Sequence, residues 1–300
     1  MLALHRFLIR LSSAAVAAFI WVFIFEYSAT LVDLPHALIS TALLYALSET
    51  TTILLTPFAL RRLRGGMRRG LVYGTLLLFA AWALLGTLFL GLFPHGLMAV
   101  ALLLGAYRAL YRVPYSVEYA TIARRRAPQL FVELLLAAVP LGAGALLAAG
   151  ALPAELFFIA ALAALLGLLP IGFIRNVHEN FSWGYRETFD HFASPEHRRV
   201  LLVSVSKGIQ GALLFLVWPI VLLFLFAGSP IPMGAAFSAT LLLIVLFRAW
   251  RWPGRHRRAY IEDQPDGGAY LDEYTALKEM GQALGRLVLA FALVLGFSLL

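Results

Sequence analysis

Nine apolar runs dominate the chain, each long enough to cross a hydrocarbon layer of roughly 30 Å as a helix of about 20 residues, and they restrict what it can fold into. They lie at about 11–32, 36–60, 71–93, 96–122, 129–150, 154–174, 200–227, 233–250 and 283–300. Lipid offers the backbone no hydrogen bonds, so only helices or a closed barrel can span it. The runs are continuous and rich in Leu and Ala, without the alternation of a lipid-facing strand, and they predict an all-α polytopic bundle. At 61% hydrophobic and 13% charged, the chain could not cover a soluble fold with polar surface. The first run follows His5, Arg6 and Arg10 but continues through Trp21 to Phe25 with no small-residue cleavage pattern, so it reads as a retained helix.

The formal net charge is +8. In a soluble protein that excess points to nucleic acid; in a polytopic one it first reports orientation, because Lys and Arg concentrate in short cytoplasmic loops. With the N-terminus inside, the cytoplasmic segments hold Arg6 and Arg10; Arg61, Arg62, Arg64, Arg68 and Arg69; Arg124, Arg125 and Arg126; Arg175, Arg186, Arg198 and Arg199; and Arg248, Arg251, Arg255, Arg257, Arg258 and Lys278. Together these are twenty of the 24 basic residues. The opposite connections, near 33–36, 94–95, 151–153 and 228–232, are very short and hold none. The basic runs thus read as topology signals and not as a nucleic-acid surface, and they predict a multi-pass inner-membrane protein with a cytoplasmic N-terminus.

Short external connections make consecutive spans antiparallel neighbours. The chain divides into a six-helix half over 1–174, a cytoplasmic connection over 175–199 and a partial second half over 200–300. In the connection, Phe181, Tyr185, Phe189 and Phe192 recur at helical spacing opposite Arg186, Glu187 and Asp190. Two placements fit this amphipathic stripe: on the membrane surface, or against the inner ends of the spans.

Ionisable groups at membrane depth are costly and are functional candidates by default. Eight qualify: Glu26 and Glu49 in spans one and two; Arg108, Arg112 and Glu118 in span four; Glu133 in span five; Lys207 in span seven; and Arg286 at the start of span nine. Four acids against four bases predict mutual pairing, with Glu49 and Arg108 matched at mid-depth. Spans one, four and seven carry most of these charges, a period of three helices that suits a bundle built from three-helix units. On span four, Arg108, Arg112, Tyr115 and Tyr119 fall within about 60° of one another, which predicts a face lining a hydrated cavity. The two arginines there serve either Glu49 and Glu133 or an anionic ligand group. Lys207 either lines the same cavity or snorkels to the nearby boundary, and Gly208 and Gly211 beside it predict close helix approach.

Absences narrow the chemistry. The histidines lie in loops or at span ends, where none is placed to bind a haem in the core, and there is no phosphate-binding G-x-x-x-x-G-K-[ST] loop. Glu262, Asp263 and Asp266 sit in a Pro-Gly stretch and read as a solvated acidic turn; the chain has no cysteine. Neither a cofactor nor a metal is expected, nor an enzymatic activity.

Several stretches carry a resemblance. Residues 57–70 are a short basic loop, Pro-Phe-Ala-Leu-Arg-Arg-Leu-Arg-Gly-Gly-Met-Arg-Arg-Gly, between spans two and three. Residues 107–119 are Tyr-Arg-Ala-Leu-Tyr-Arg-Val-Pro-Tyr-Ser-Val-Glu-Tyr, residues 140–144 are Pro-Leu-Gly-Ala-Gly, and residues 179–189 follow six spans. The pattern resembles the major facilitator superfamily of secondary transporters, although the basic loop lacks the Asp that normally precedes its arginines. The resemblance implies that helices one, four, seven and ten line a central path, which would put Glu26, Arg108, Arg112, Glu118 and Lys207 on it. That family usually has twelve helices, and residues 272–286 read like the beginning of a later one. Nine spans imply a shortened chain, or a second chain completing the bundle.

The expected function is secondary active transport of a small solute by alternating access, coupled to protons through Glu26 and Glu49. The competing reading is a non-transporting scaffold or assembly subunit, or a membrane-embedded lipid-processing enzyme. A transporter predicts a hydrated cavity at spans one, four and seven; a scaffold predicts that those charges close on one another.

Overall fold

The protein is seen in a computed structural model that describes residues 1–62, 66–93, 95–123, 130–174, 176, 181–250 and 271–299. Among the described residues every element is helical, and nine helical stretches are long and apolar enough to cross a membrane. Arg64, residues 124 to 126, Arg175, Arg251, Arg255, Arg257, Arg258 and the acidic stretch at Glu262, Asp263 and Asp266 lie outside the described residues. The chain is a multi-pass helical membrane protein.

Span one is α1 (Leu2–Val16) and α2 (Ile20–Ala29), separated where the Ala17 and Phe19 N–H groups close tight turns onto Ala14 and Val16. Spans two to five are α3 (Leu34–Arg62), α4 (Met67–Phe89), α5 (Leu97–Ala123) and α6 (Leu130–Ala148), and span six is α7 (Pro153–Leu166) with α8 (Leu168–Ile171). The connection contains α9 (Tyr185–Ala193). Span seven is α10 (Arg198–Ala212), a π turn (Leu213–Val217) and α11 (Trp218–Leu225); spans eight and nine are α12 (Pro230–Trp250) and α13 (Leu271–Ser298). Asp33 opens α3 by accepting the His36 N–H at 3.1 Å, and Glu155 folds back onto the Leu152 N–H at 3.1 Å to open α7. The π turn precedes Pro219, which has no N–H to give the Phe215 carbonyl, so the widened turn absorbs the mismatch.

Short loops make successive spans alternate in direction, which sets the described Arg61, Arg68, Arg69, Arg198 and Arg199 at one end of the bundle, the basic end, opposite the connections near 33, 95, 151 and 228. Span three packs on spans four and six, span four on span two, and span one on spans five and six. Span two also packs along span nine, and span five along span eight. Buried polar groups tie these layers together: the Trp82 indole N–H donates to Ser12 Oγ at 3.0 Å, and that hydroxyl donates to the Ala160 carbonyl at 2.7 Å. Two crossings need residues without a side chain. Gly208 lies against the Gln282 backbone and Gly285 against that of Val205, while Gly144 and Gly234 meet where α6 crosses α12. Gly211, expected to serve the same purpose, has nothing within 4 Å of where a Cβ would stand.

Three boundaries differ from the sequence reading. Span one begins at Leu2, so Arg6 and Arg10 lie on helix rather than in a leading segment. Span nine begins at Leu271, not 283, and residues 273–277 are all buried. A segment carrying Glu273, Lys278 and Glu279 is too polar for lipid, but it packs against α3, α5, α9 and α10. In the connection, the described helical residues are α9 and a 3-10 turn at Pro195–His197, with α10 starting at Arg198. Phe181 precedes α9 and is buried with Leu60, Met67, Val113 and Ala276, while Tyr185 donates its hydroxyl to the Leu54 carbonyl at 3.1 Å. α9 touches spans two and nine, with Thr188 its buried residue, while Tyr185 is exposed and Phe189 and Phe192 are half-buried.

Candidate functional site

On α3, Thr41, Tyr45, Ser48, Glu49, Thr52 and Thr56 form one buried polar stripe. Their hydroxyls are locally satisfied: Thr52 donates to the Ser48 carbonyl at 2.9 Å and Thr56 to that of Thr52 at 2.7 Å. Thr52 also lies 3.2 Å from the Gly105 carbonyl, which ties the stripe to α5. The i, i+4, i+7, i+8, i+11 spacing was legible in the sequence, yet only Glu49 stood out because the others carry no charge.

Glu49, with 0% of its surface exposed, receives two guanidiniums. Arg108 on α5 donates to one carboxylate oxygen and, at 2.8 Å, to Ser48 Oγ. Arg286 on α13 donates through Nε to the other oxygen at 2.8 Å. Arg108 also lies 5.8 Å from the Tyr45 ring, against which Trp21 packs edge-on at 4.9 Å. One turn toward the basic end, Arg112 faces Glu279 of α13 at 3.6 Å, an ion pair too long to be a hydrogen bond. Spans two, four and nine are thereby cross-linked through charge. Along α5, Tyr107, Tyr111 and Tyr115 stack successively at 5.3 and 5.7 Å, and Arg6 lies 5.5 Å from the Tyr115 ring.

The pairing departs from mutual neutralisation of the eight charges. Glu133 is taken by Arg10, at 2.5 Å for one of two contacts, and by Arg6 at 3.8 Å, because α1 runs past the start of α6. Arg112 therefore pairs with Glu279 rather than Glu133. Arg286 stands in the middle of α13, not at its start, and that is why it reaches Glu49. Glu26 and Lys207 are exposed, and among the described residues neither enters an ion pair. Lys207 lies on α10 with exposed Ser206 and Gln210, while Ser204 and Gly208 are buried. Glu118 and Tyr119 lie on α5, but their side chains fall outside the described residues.

Sequence reasoning missed Glu273 and Glu279: residues 272–286 read like the beginning of a helix, but the apolar run was started at 283, which left both glutamates in the cytoplasmic segment ahead of it. Their signal was the spacing of Tyr274, Leu277, Met280 and Leu284. Glu273 is buried and accepts from the Ser182 hydroxyl at 3.0 Å and its N–H at 3.3 Å, tying the connection to span nine.

Spans one and seven meet at the short-loop end, where Phe25 and Phe224 pack edge-on at 5.8 Å. Toward the basic end they have different neighbours: α1 packs on α6, α7 and α8, and α10 on α13. No protein-family model matches the chain, and no curated protein matches it in sequence.

Proposed function

We propose that the protein is a secondary transporter of a small solute, of the kind the major facilitator superfamily resemblance implies, with an N-terminal six-helix half, a connection and a partial C-terminal half. The observation that carries this reading is the divergence of spans one and seven, joined at one end through Phe25 and Phe224 and held by different partners at the other. A bundle whose halves are pinned at one end has the geometry of a gate. The polar face of α10 supports it: Ser206, Lys207 and Gln210 are exposed at a depth where lipid would be a costly neighbour, so a hydrated space suits them. Orientation follows the basic residues, with the N-terminus and the basic end cytoplasmic in an inner membrane. Coupling to protons would fall to Glu26, the carboxylate in span one without an ion-pair partner among the described residues.

The chain has no native cysteine, so Phe25→Cys with Phe224→Cys gives a clean test. Solute uptake or efflux in vesicles, with and without a pH gradient, is expected to stop on oxidative cross-linking and return on reduction. A scaffold is favoured by a different observation, the closure of Arg108 and Arg286 on Glu49. It predicts no flux in any state, and an unchanged fold whether cross-linked or not.

A further inference from the structure

The ion pairs joining α3, α5 and α13 are unbalanced. Among the described residues they contain three guanidiniums, Arg108, Arg112 and Arg286, and two carboxylates, Glu49 and Glu279. Glu49 divides its oxygens between Arg108 and Arg286, so its single negative charge already faces two bases. Arg286 is only 7% exposed, and its Nη2 is buried with no hydrogen-bond partner among the described residues. Arg112 makes no hydrogen bond at all among those residues, only the 3.6 Å approach to Glu279, and its side chain is 39% exposed. Guanidinium donors left open at this depth are among the costliest groups a membrane protein can hold. A planar fork is also suited to accepting a carboxylate by two parallel hydrogen bonds.

We infer that the solute is a small organic anion, and that its carboxylate is recognised by Arg112 with the open edge of Arg286. The assignment rests on the transport reading and names its substrate class. Its chemistry is exchange. Glu279 holds Arg112 loosely while the site is empty, and an incoming carboxylate displaces it and restores the balance of three negative to three positive charges. Arg108 is spent on Glu49 and Ser48 and acts by positioning Glu49, not by touching the ligand.

The test uses the full chain in lipid nanodiscs, with tryptophan fluorescence following thermal unfolding while acetate, lactate and benzoate are each titrated against the matching amide. At least one carboxylate is expected to raise the midpoint saturably where its amide does not. Arg112→Gln should raise the half-saturating concentration at least tenfold. Glu279→Gln should lower it several-fold, because the competing carboxylate is gone; a merely structural ion pair would not give that sign. Arg68→Gln, at an exposed position on α4, should leave it unchanged. Equal effects of acid and amide, an unaltered titration in Arg112→Gln, or weaker binding in Glu279→Gln would each overturn the assignment. Counterflow in proteoliposomes separates the two readings. Saturable carboxylate binding without counterflow removes transport and keeps the anion site, whereas counterflow of a neutral solute without carboxylate binding keeps transport and overturns the anion.

Discussion

Glu49 is the residue on which the centre of the bundle depends. It is fully buried and receives Arg108 and Arg286 from two different helices. Removing one partner of a buried ion pair costs about 3–5 kcal/mol, because the charge left behind is desolvated and unpaired. Glu49→Gln is accordingly expected to lower stability by about that amount, and the mixed-micelle unfolding midpoint read by tryptophan fluorescence checks it. Adding Arg108→Gln to Glu49→Gln should cost less than the two single losses together, since residues of one network are coupled. Additive losses would mean that the two side chains act independently. The Glu49–Arg108 pair could be anticipated from two opposite charges at mid-depth. Arg286 could not, because its distance from the start of α13 depends on where that helix begins, and polar residues 272–279 obscure the point.

At the scale of elements, helix contacts rest on small residues rather than on apolar bulk, since lipid tails are as apolar as leucine. Gly208 and Gly211 are one turn apart on α10 and face different surroundings, one pressed on the Gln282 backbone and one open. Gly208→Ala should therefore force α10 off α13 at a cost of about 1–3 kcal/mol, the usual range for overpacking. Gly211→Ala should be neutral or stabilise by up to about 1 kcal/mol through helix propensity. The same unfolding assay ranks the two, and a Gly211→Ala loss equal to that of Gly208→Ala would refute this account of the crossing. Burial also separates the spans. Half of the apolar window of spans one, three and six is buried in the bundle, against 22% for span eight, which leaves most of span eight's surface outside the packed bundle.

For the whole molecule, the basic residues and the short connections predict a topology that can be measured directly. Single cysteines introduced at His95 and Ala151 should react with a membrane-impermeant maleimide from outside intact cells. One at Arg186 should react only after lysis, and the reverse pattern would invert the orientation. What the sequence by itself determined was the membrane class, the number of spans and their antiparallel order, because crossing lipid needs a minimum length of apolar helix and that need is read one segment at a time. The tertiary structure alone decided which charges meet. It gave Glu133 to Arg10 and Arg6, Glu49 to both Arg108 and Arg286, and Arg112 to Glu279, which the sequence reading had placed ahead of the start of span nine. Segmental hydropathy measures the cost of a residue against lipid. The environment of residues 273–286 is other helices, where a charge is tolerated according to the partner placed opposite it, and that partner comes from elsewhere in the chain.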